Sequence, residues 1–257
     1  MADERVLELN QVVKRFGGLT AVDSVDFAVS RGQIKALIGP NGAGKTTVFN
    51  LITGVYGVDS GEIRVSGRRA SGLPSHRIAA LGVARTFQHI ELFGNMSVLE
   101  NVMVGAHTRS NSGLLSSALR LKGMRSEERR LVEKAEACLA LVGMGEIALE
   151  AEARSLAFGQ QRLLEVARAL AAEPALVLLD EPAAGLSTAE SARLGELVQR
   201  IRELGVTVLI VDHDMDLVMR ISDEVVVLDH GVKIAEGSPR EMQRDPKVIA
   251  AYLGEEV

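Results

Sequence analysis

The sequence predicts an α/β fold that is built around a parallel sheet. Three short apolar runs, at residues 176–179, 207–211 and 225–228, indicate buried strands. Segments with helical periodicity separate these runs, and strands that alternate with helices are typical of parallel sheets with crossover helices. A further strand at 34–38 leads through a glycine-rich loop into a helix. These observations together favour the α/β class.

The composition is that of an ordinary globular protein. Of the 257 residues, 47% are hydrophobic and 25% are charged, so a disordered or coiled-coil chain is excluded. The net charge of −5 disfavours a nucleic-acid partner. Cys138 is the only cysteine, which fits a reducing compartment. The first residues carry charges of both signs and lead into no apolar stretch, and the longest apolar run, 137–145, is shorter than the roughly 20 residues that span a bilayer. We therefore expect a cytoplasmic protein.

The elements follow in order along the chain. Period-two alternation around Glu8 and again over 25–29 predicts two antiparallel strands, which turn at 17–18. After the glycine-rich loop, the apolar residues Val48, Leu51, Ile52 and Val55 have the spacing of one helix face.

The middle of the chain predicts an inserted helical block. Residues 97–100, Ser-Val-Leu-Glu, have the pattern of a capping box that opens a helix, and a second helix is predicted over 127–141. Residues 229–231 predict a hairpin turn, and 239–253 a helical tail. We expect one domain over 1–257, with a core of 1–96 and 157–238, a helical subdomain at 97–156 and a tail at 239–257.

The glycine-rich loop matches the phosphate-binding pattern G-x-x-x-x-G-K-[ST]. Its glycines let the backbone wrap phosphates with the N–H groups inward, while the lysine adds a point charge and the threonine hydroxyl ligates Mg²⁺. The dinucleotide pattern G-x-G-x-x-G is absent. The predicted nucleotide-binding residues are Gly39, Pro40, Asn41, Gly42, Ala43, Gly44, Lys45, Thr46 and Thr47.

Two acids end the buried strand at 176–179. In a P-loop protein, Asp180 holds the water shell of the metal. Glu181 then lies beside the γ-phosphate, where it can act as general base toward an attacking water. The alternative interpretation is a solvated acidic pair at a strand end.

Three further features gain meaning from their order. His213 follows the strand 207–211, at the end of a parallel strand that faces ligands, although a structural histidine is the simpler alternative. A zinc site at Asp212-His213-Asp214 is disfavoured because no further His or Cys lies at ligand spacing. Gln88 follows a strand predicted over 83–87 and can reach a metal and a water. Residues 156–160 open a helix whose core face is predicted to carry Leu163, Val166, Ala167 and Leu170.

The order of these motifs closely resembles the nucleotide-binding subunit of ABC transporters, over nearly the whole chain. The resemblance implies a P-loop ABC ATPase fold with a mixed-sheet core, an N-terminal antiparallel β subdomain and an inserted α-helical subdomain. It further implies that Phe16 stacks on adenine, that Gln88 and His213 are the Q-loop glutamine and switch histidine, and that Lys45 and Glu181 serve catalysis. ATP and Mg²⁺ are the implied ligands, with Thr46, Gln88 and Asp180 at the metal. The implied signature, which closes over ATP bound to a second subunit, is Leu156, Ala157, Phe158, Gly159 and Gln160.

Narrower features look like the longer ATPase subunit of branched-chain amino-acid importers. They are residues 84–89, the enlarged helical block, residues 182–186 and the ending 245–254. The resemblance implies a second ATPase subunit in a homo- or heterodimer, two transmembrane permease subunits, indirectly a solute-binding protein, and a place on the inner face of the membrane. Ala157 and Phe158 depart from the Ser and Gly that most ABC proteins carry, so a serine contact to phosphate is not expected here. The transported substrate stays open among branched-chain and other amino acids, urea and amides.

Three other functions stay open from the residues alone: a soluble non-transport ABC ATPase, a P-loop kinase and an ATP-sensing regulator. The pair Asp180-Glu181 and the signature-like helix disfavour the kinase. Seven basic residues against three acids in 109–134 predict a basic surface near a membrane partner, with a solvated helix face as the alternative.

Overall fold

The computed structural model describes residues 4–107, 122–147 and 149–253. They form two compact units, the first containing 4–88 and 175–253 and the second 89–174. The strands are β1 (Arg5–Phe16), β2 (Leu19–Ser30), β3 (Ile34–Ile38), β4 (Ser60–Val65), β5 (Arg68–Arg69), β6 (Val83–Arg85), β7 (Leu176–Asp180), β8 (Thr207–Val211), β9 (Glu224–Asp229) and β10 (Val232–Gly237). The helices are α1 (Lys45–Ile52), α2 (Ser75–Ala80), α3 (Val98–His107), α4 (Lys122–Leu141), α5 (Phe158–Ala171), α6 (Thr188–Glu203), α7 (Met215–Ile221), α8 (Pro239–Met242) and α9 (Pro246–Leu253).

The first unit contains two sheets. An antiparallel sheet has the order β2-β1-β4-β5, and a six-stranded sheet has the order β10-β9-β3-β8-β7-β6. In the larger sheet β9, β3, β8, β7 and β6 run parallel and β10 pairs antiparallel with β9. The predicted α/β class with a mixed-sheet core is therefore confirmed, whereas β4, β5 and α2 were not predicted.

One buried apolar cluster joins both sheets to α1. It combines Leu9 of β1 and Leu178 of β7 with Val48, Phe49 and Ile52 of α1, so the helix lies against a core that both sheets share. Burying aliphatic surface on this scale is the main favourable term in folding.

The helix α1 is shorter than the sequence predicted. It ends at Ile52, and Val55 lies outside it with 53% of its surface exposed. The reason is Gly54, whose φ of 69° is the left-handed conformation that commonly ends a helix.

The second unit is helical. Helices α3, α4 and α5 pack against one another, and the capping box of α3 is confirmed by bonds from Ser97 N to Glu100 Oε2 (2.8 Å) and from Glu100 N to Ser97 Oγ (3.1 Å). Helix α3 approaches α5 so closely at Gly105 that an added Cβ would lie 2.0 Å from the carbonyl oxygen of Arg168. Helix α5 packs on α3 and α4 within this unit, which covers residues 89–174.

The predicted core face of α5 is confirmed at Val166, Ala167 and Leu170, which are buried, but Leu163 is only partly buried. Arg162 and Glu165 are also buried and form an ion pair at 3.1 Å. Periodicity could not reveal this buried pair, because it assumes that charged residues point to solvent.

The predicted C-terminal tail is two helices. Helix α8 ends at Met242, and α9 begins at Pro246, where the proline lacks the N–H that a continuous helix needs. Within the described ranges, none of the helices has the length and apolar character needed to cross a membrane.

Candidate functional site

The loop between β3 and α1 is held in shape by the protein around it. Gly39 has a φ of 148°, and a Cβ there would lie 2.1 Å from the carbonyl oxygen of Leu228. Gly44 has a φ of 101°, and a Cβ there would lie 2.6 Å from the carbonyl oxygen of Ala21. Neighbouring backbone leaves no room for any other residue at these two positions. The surrounding backbone therefore constrains the shape of the loop.

The ammonium group of Lys45 binds carbonyl oxygens of the glycine-rich loop. The side chain is 7% exposed, and Nζ donates to the carbonyl oxygens of Gly39 (2.6 Å) and Pro40 (2.8 Å). Lys45 is also the first residue of α1, whose N-terminal amides have no partners inside the helix. Positive charge and the backbone amides at one helix end favour an anionic ligand.

Asp180 ends β7 in a buried ion pair that the sequence did not predict. Its Oδ2 accepts a bond of 2.7 Å from Arg85 Nη2. Arg85 also donates from Nη1 to Asn50 Oδ1 (2.8 Å) and Thr53 Oγ1 (3.1 Å). The guanidinium thus links the end of α1 to the ends of β6 and β7. The available signal was an arginine three residues before Gln88, but its partners are distant in sequence.

Glu181 is at the centre of a hydrogen-bonded cluster. Its Oε2 accepts from Gln88 Nε2 at 2.9 Å, and its Oε1 lies 2.9 Å from His213 Nε2. The backbone of Glu181 has a φ of 48°, which is uncommon outside glycine, and its N–H donates to Val211 O at 2.7 Å. Pairing of Asp180 with Val211 in adjacent parallel strands places the following loops side by side. Three predicted site residues thus meet at the carboxyl ends of the sheet.

A cavity of about 580 Å³ lies in front of this cluster and the glycine-rich loop. Pro40, Gly39 and Asp180 are not among its lining residues, whereas His230, which the sequence analysis did not single out, is. The predicted residues that line it are Phe16, Asn41, Gly42, Ala43, Gly44, Lys45, Thr46, Thr47, Gln88, Glu181 and His213.

Phe16 is one of the residues that line the cavity. The residue is 42% exposed, and its ring meets Tyr56 edge to face with the ring centroids 5.2 Å apart. Lys14 Nζ lies 5.3 Å from the Phe16 centroid and pairs with Asp59 at 3.1 Å. The ring is therefore supported from behind while part of its surface stays free for a planar ligand.

The predicted signature lies in the second unit, at the start of α5. Ala157 precedes the helix, and its N–H donates to Gln160 Oε1 at 3.1 Å. Phe158 is 49% exposed, with the guanidinium carbon of Arg162 at 5.9 Å from its ring centroid.

Over the described part of the chain, no three His, Cys, Asp or Glu side chains are arranged to hold a metal ion.

Comparison with known proteins identifies the class. The ABC transporter family matches residues 22–184, and the branched-chain amino acid ATP-binding cassette transporter family matches residues 232–257. The chain belongs to the ABC transporter family, as an ATP-hydrolysing subunit.

Individual relatives cover almost the full length. The chain is 45% identical to the high-affinity branched-chain amino acid transport ATP-binding protein BraF of Pseudomonas aeruginosa, over 97% of this chain and 98% of that protein. It is 43% identical to the high-affinity branched-chain amino acid transport ATP-binding protein LivG of Escherichia coli K12, over the same shares. Among solved structures, the ADP conformation of MJ1267, an ATP-binding cassette of an ABC transporter, has a TM-score of 0.83 and 31% identity over 97% of this chain and 99% of that one.

Proposed function

We propose that this chain hydrolyses ATP at the described cavity to power the import of branched-chain amino acids. The observation that carries the proposal is Glu181, held between Gln88 and His213 at the mouth of a cavity lined by a phosphate-binding loop. The substrate class comes from the similarity to BraF and LivG, whose names state it.

The residues support one orientation of ATP. The loop amides and Lys45 bind the β- and γ-phosphates, because positive charge and helix-end amides converge there. Phe16, a partly exposed aromatic residue that lines the same cavity, stacks on adenine.

The donor set fits Mg²⁺. Thr46, Gln88 and Asp180 offer a hydroxyl, an amide and a carboxylate oxygen, which are the hard oxygen ligands that Mg²⁺ prefers. Thr46 and Gln88 line the cavity, whereas Asp180 is paired with Arg85 and would hold the ion through bound water. When bound, the ion neutralises charge on the phosphates.

Glu181 performs the proton transfer. Its carboxylate takes a proton from a water molecule while the water oxygen attacks the γ-phosphorus, and the bond to the ADP oxygen breaks. The products are ADP and inorganic phosphate. His213 and Gln88 hold the carboxylate in place through the two 2.9 Å contacts. The His213 ring also positions the water.

The signature completes the site from a second ATPase subunit, identical or related. Ala157 has no hydroxyl to donate. The γ-phosphate of ATP in the opposite subunit is therefore bound by the backbone amides of 158–160 and the positive end of α5.

A change at Gly159 tests this role. We expect Gly159→Asp to lower ATPase activity by about 100-fold, since it adds bulk and negative charge beside the phosphate. Ala157→Ser should change activity by only a few-fold, since a neutral hydrogen bond is worth about 0.5–1.5 kcal/mol. Phosphate release and equilibrium ATP binding are measured for both. Normal activity in Gly159→Asp removes the trans-acting role, whereas unchanged ATP binding with lost turnover supports it.

The partners are two transmembrane permease subunits and, indirectly, a solute-binding protein, which place the chain on the inner face of the membrane. Half of the basic segment 109–134 that was predicted to face them, residues 109–121, lies outside the described residues. Within the described part, Arg129 and Arg130 are exposed and Lys134 pairs with Glu173 at 2.9 Å. The division into core 1–96 and 157–238, helical subdomain 97–156 and tail 239–257 stays a proposal.

Reconstitution tests the proposed function. The chain, its permease subunits and the solute-binding protein are placed in liposomes, and uptake of labelled leucine is followed with ATP inside or outside. We expect uptake only when ATP is on the side of this chain, and none with Glu181→Gln. ATP-driven uptake of urea instead of leucine would overturn the substrate, and ATP-independent uptake would overturn the function.

A further inference from the structure

Asp212 is a buried carboxylate that the proposed mechanism does not use. It follows β8 directly and is 4% exposed. Oδ2 accepts from Ala183 N at 2.8 Å, and Oδ1 accepts from Asp214 N at 2.9 Å. Burial raises the pKa of this carboxyl, although backbone amides of Asp214, Ala183 and His213 oppose the shift. The fold thus keeps a carboxylate where water is excluded, which is unfavourable by itself.

The two bonds join the loops that carry Glu181 and His213. Ala183 lies in the turn after Glu181, where Ala184 N donates to Glu181 O at 3.1 Å. On the other side, Asp214 follows His213 directly. The Asp212 carboxylate therefore bridges the backbone behind both side chains.

Capping a helix does not explain Asp212. The N-terminus of α7 is already capped by Asp214, whose Oδ1 accepts from Leu217 N at 3.0 Å. The backbone of Glu181 also needs support from its surroundings, because a φ of 48° is disfavoured for a residue with a side chain. A bridge from Asp212 supplies such support.

We propose that Asp212 is a positioning residue, which holds the loops of Glu181 and His213 so that Glu181 Oε1 and His213 Nε2 stay at hydrogen-bond distance. It does not touch the nucleotide and acts only through the backbone of these loops. The inference rests on the proposed function, in which Glu181 is the general base.

Asp212→Asn breaks the bridge with little change in volume. Each oxygen of the Asp212 carboxylate accepts from one backbone N–H. Asparagine has only one side-chain oxygen, so its NH₂ group must face the other N–H, which is also a donor. Asp212→Glu keeps the carboxylate on a longer stem. Asp216, exposed in the first turn of α7, provides the matched control Asp216→Asn.

The experiment compares these variants with the wild-type chain in steady-state phosphate release, ATP binding and the NMR signals of the His213 ring, which are assigned with His213→Ala. We expect kcat to fall by about 10- to 100-fold in Asp212→Asn, because a shift near 1 Å has an effect of this size. ATP affinity should stay within about two-fold, because the phosphate-binding loop is unchanged. The His213 signals should move in Asp212→Asn, move less in Asp212→Glu, and stay in place in Asp216→Asn.

Two results overturn the inference. One is unchanged kcat and unchanged His213 signals in Asp212→Asn. The other is a loss of ATP affinity equal to the loss of kcat, since it means that Asp212 only stabilises the fold. If Asp212→Asn does not fold, the same criteria apply to Asp212→Glu. If the wild-type chain releases no phosphate, the proposed function fails, while the His213 signals still decide the positioning role.

Discussion

A buried lysine lies near each end of the parallel sheet, one in β3 and one at the start of α1, and the two have different surroundings. At the amino ends, Lys35 of β3 is 2% exposed and pairs with Glu224 (2.8 Å) and Glu236 (2.7 Å). At the carboxyl ends, Lys45 donates to the carbonyl oxygens of Gly39 and Pro40 beside a cavity. The first lysine pairs with two carboxylates of the protein, whereas the second lines a cavity beside the glycine-rich loop.

The neighbouring groups follow the same division. At the amino ends, Asp223 accepts from Ile34 N (2.8 Å), and Thr207 accepts from Gly32 N (3.0 Å), so polar side chains there hold backbone together. At the carboxyl ends, Glu181 and His213 line the cavity. Loops at the carboxyl ends of parallel strands form the ligand crevice of open α/β sheets, and this difference shows why residue type alone does not identify a site.

Breaking the Arg85–Asp180 pair should have the largest effect on stability. Arg85→Met leaves the buried Asp180 carboxylate without its cation, which costs about 3–5 kcal/mol. The control Arg202→Met breaks the pair with Asp223 near the amino ends, which is more exposed, and should cost at most about 1 kcal/mol. Urea unfolding measures both. Equal losses would contradict the distinction that we draw between the buried pair and the exposed one.

The two lysines provide the second prediction. Lys45→Ala should weaken ATP binding by about ten-fold or more, since hydrogen bonds to charged groups are worth about 1.5–3 kcal/mol. Lys35→Met should leave ATP affinity unchanged and lower Tm by about 4 °C, because Glu224 and Glu236 each lose one of their partners. Titration calorimetry and thermal unfolding separate the two effects. Loss of ATP affinity in Lys35→Met would show that the ends are not independent.

The smallest expected effect is a pH dependence at the amino ends. Burial raises the pKa of Glu236, but hydrogen bonds from Lys233 and Lys35 outweigh it and hold the pKa below its ordinary value of 4.5. A carboxyl whose pKa is lowered in the folded state stabilises the fold fully when the pH is above the ordinary pKa. This stabilisation is lost as the pH falls through the folded-state pKa. The fall in Tm between pH 6 and pH 3 should therefore be about 2 °C smaller in Glu236→Gln than in the wild type. Glu203→Gln, at an exposed residue of α6, is the control and should match the wild type.

The fold class and the site order could be predicted because each depends on local patterns. Buried strands, the glycine-rich loop and the acids at the end of β7 are contiguous in sequence. The partners of Arg85 and Asp212 could not be predicted, because Asn50, Asp180 and Ala183 reach them only after the strands pair. The predicted end of α1 lies too far along the chain. The helical spacing of apolar residues continues past Gly54, whereas the left-handed backbone of Gly54 ends the helix.

The central claim is that ATP is hydrolysed at the carboxyl ends of the sheet, with Glu181 as the general base. The most direct measurement is steady-state phosphate release by Glu181→Gln beside the wild type, with ATP binding measured on the same samples. We predict a loss of about 10²- to 10⁴-fold in turnover, because the nearly isosteric amide cannot take the proton, together with retained ATP binding. Full turnover in Glu181→Gln would contradict the claim.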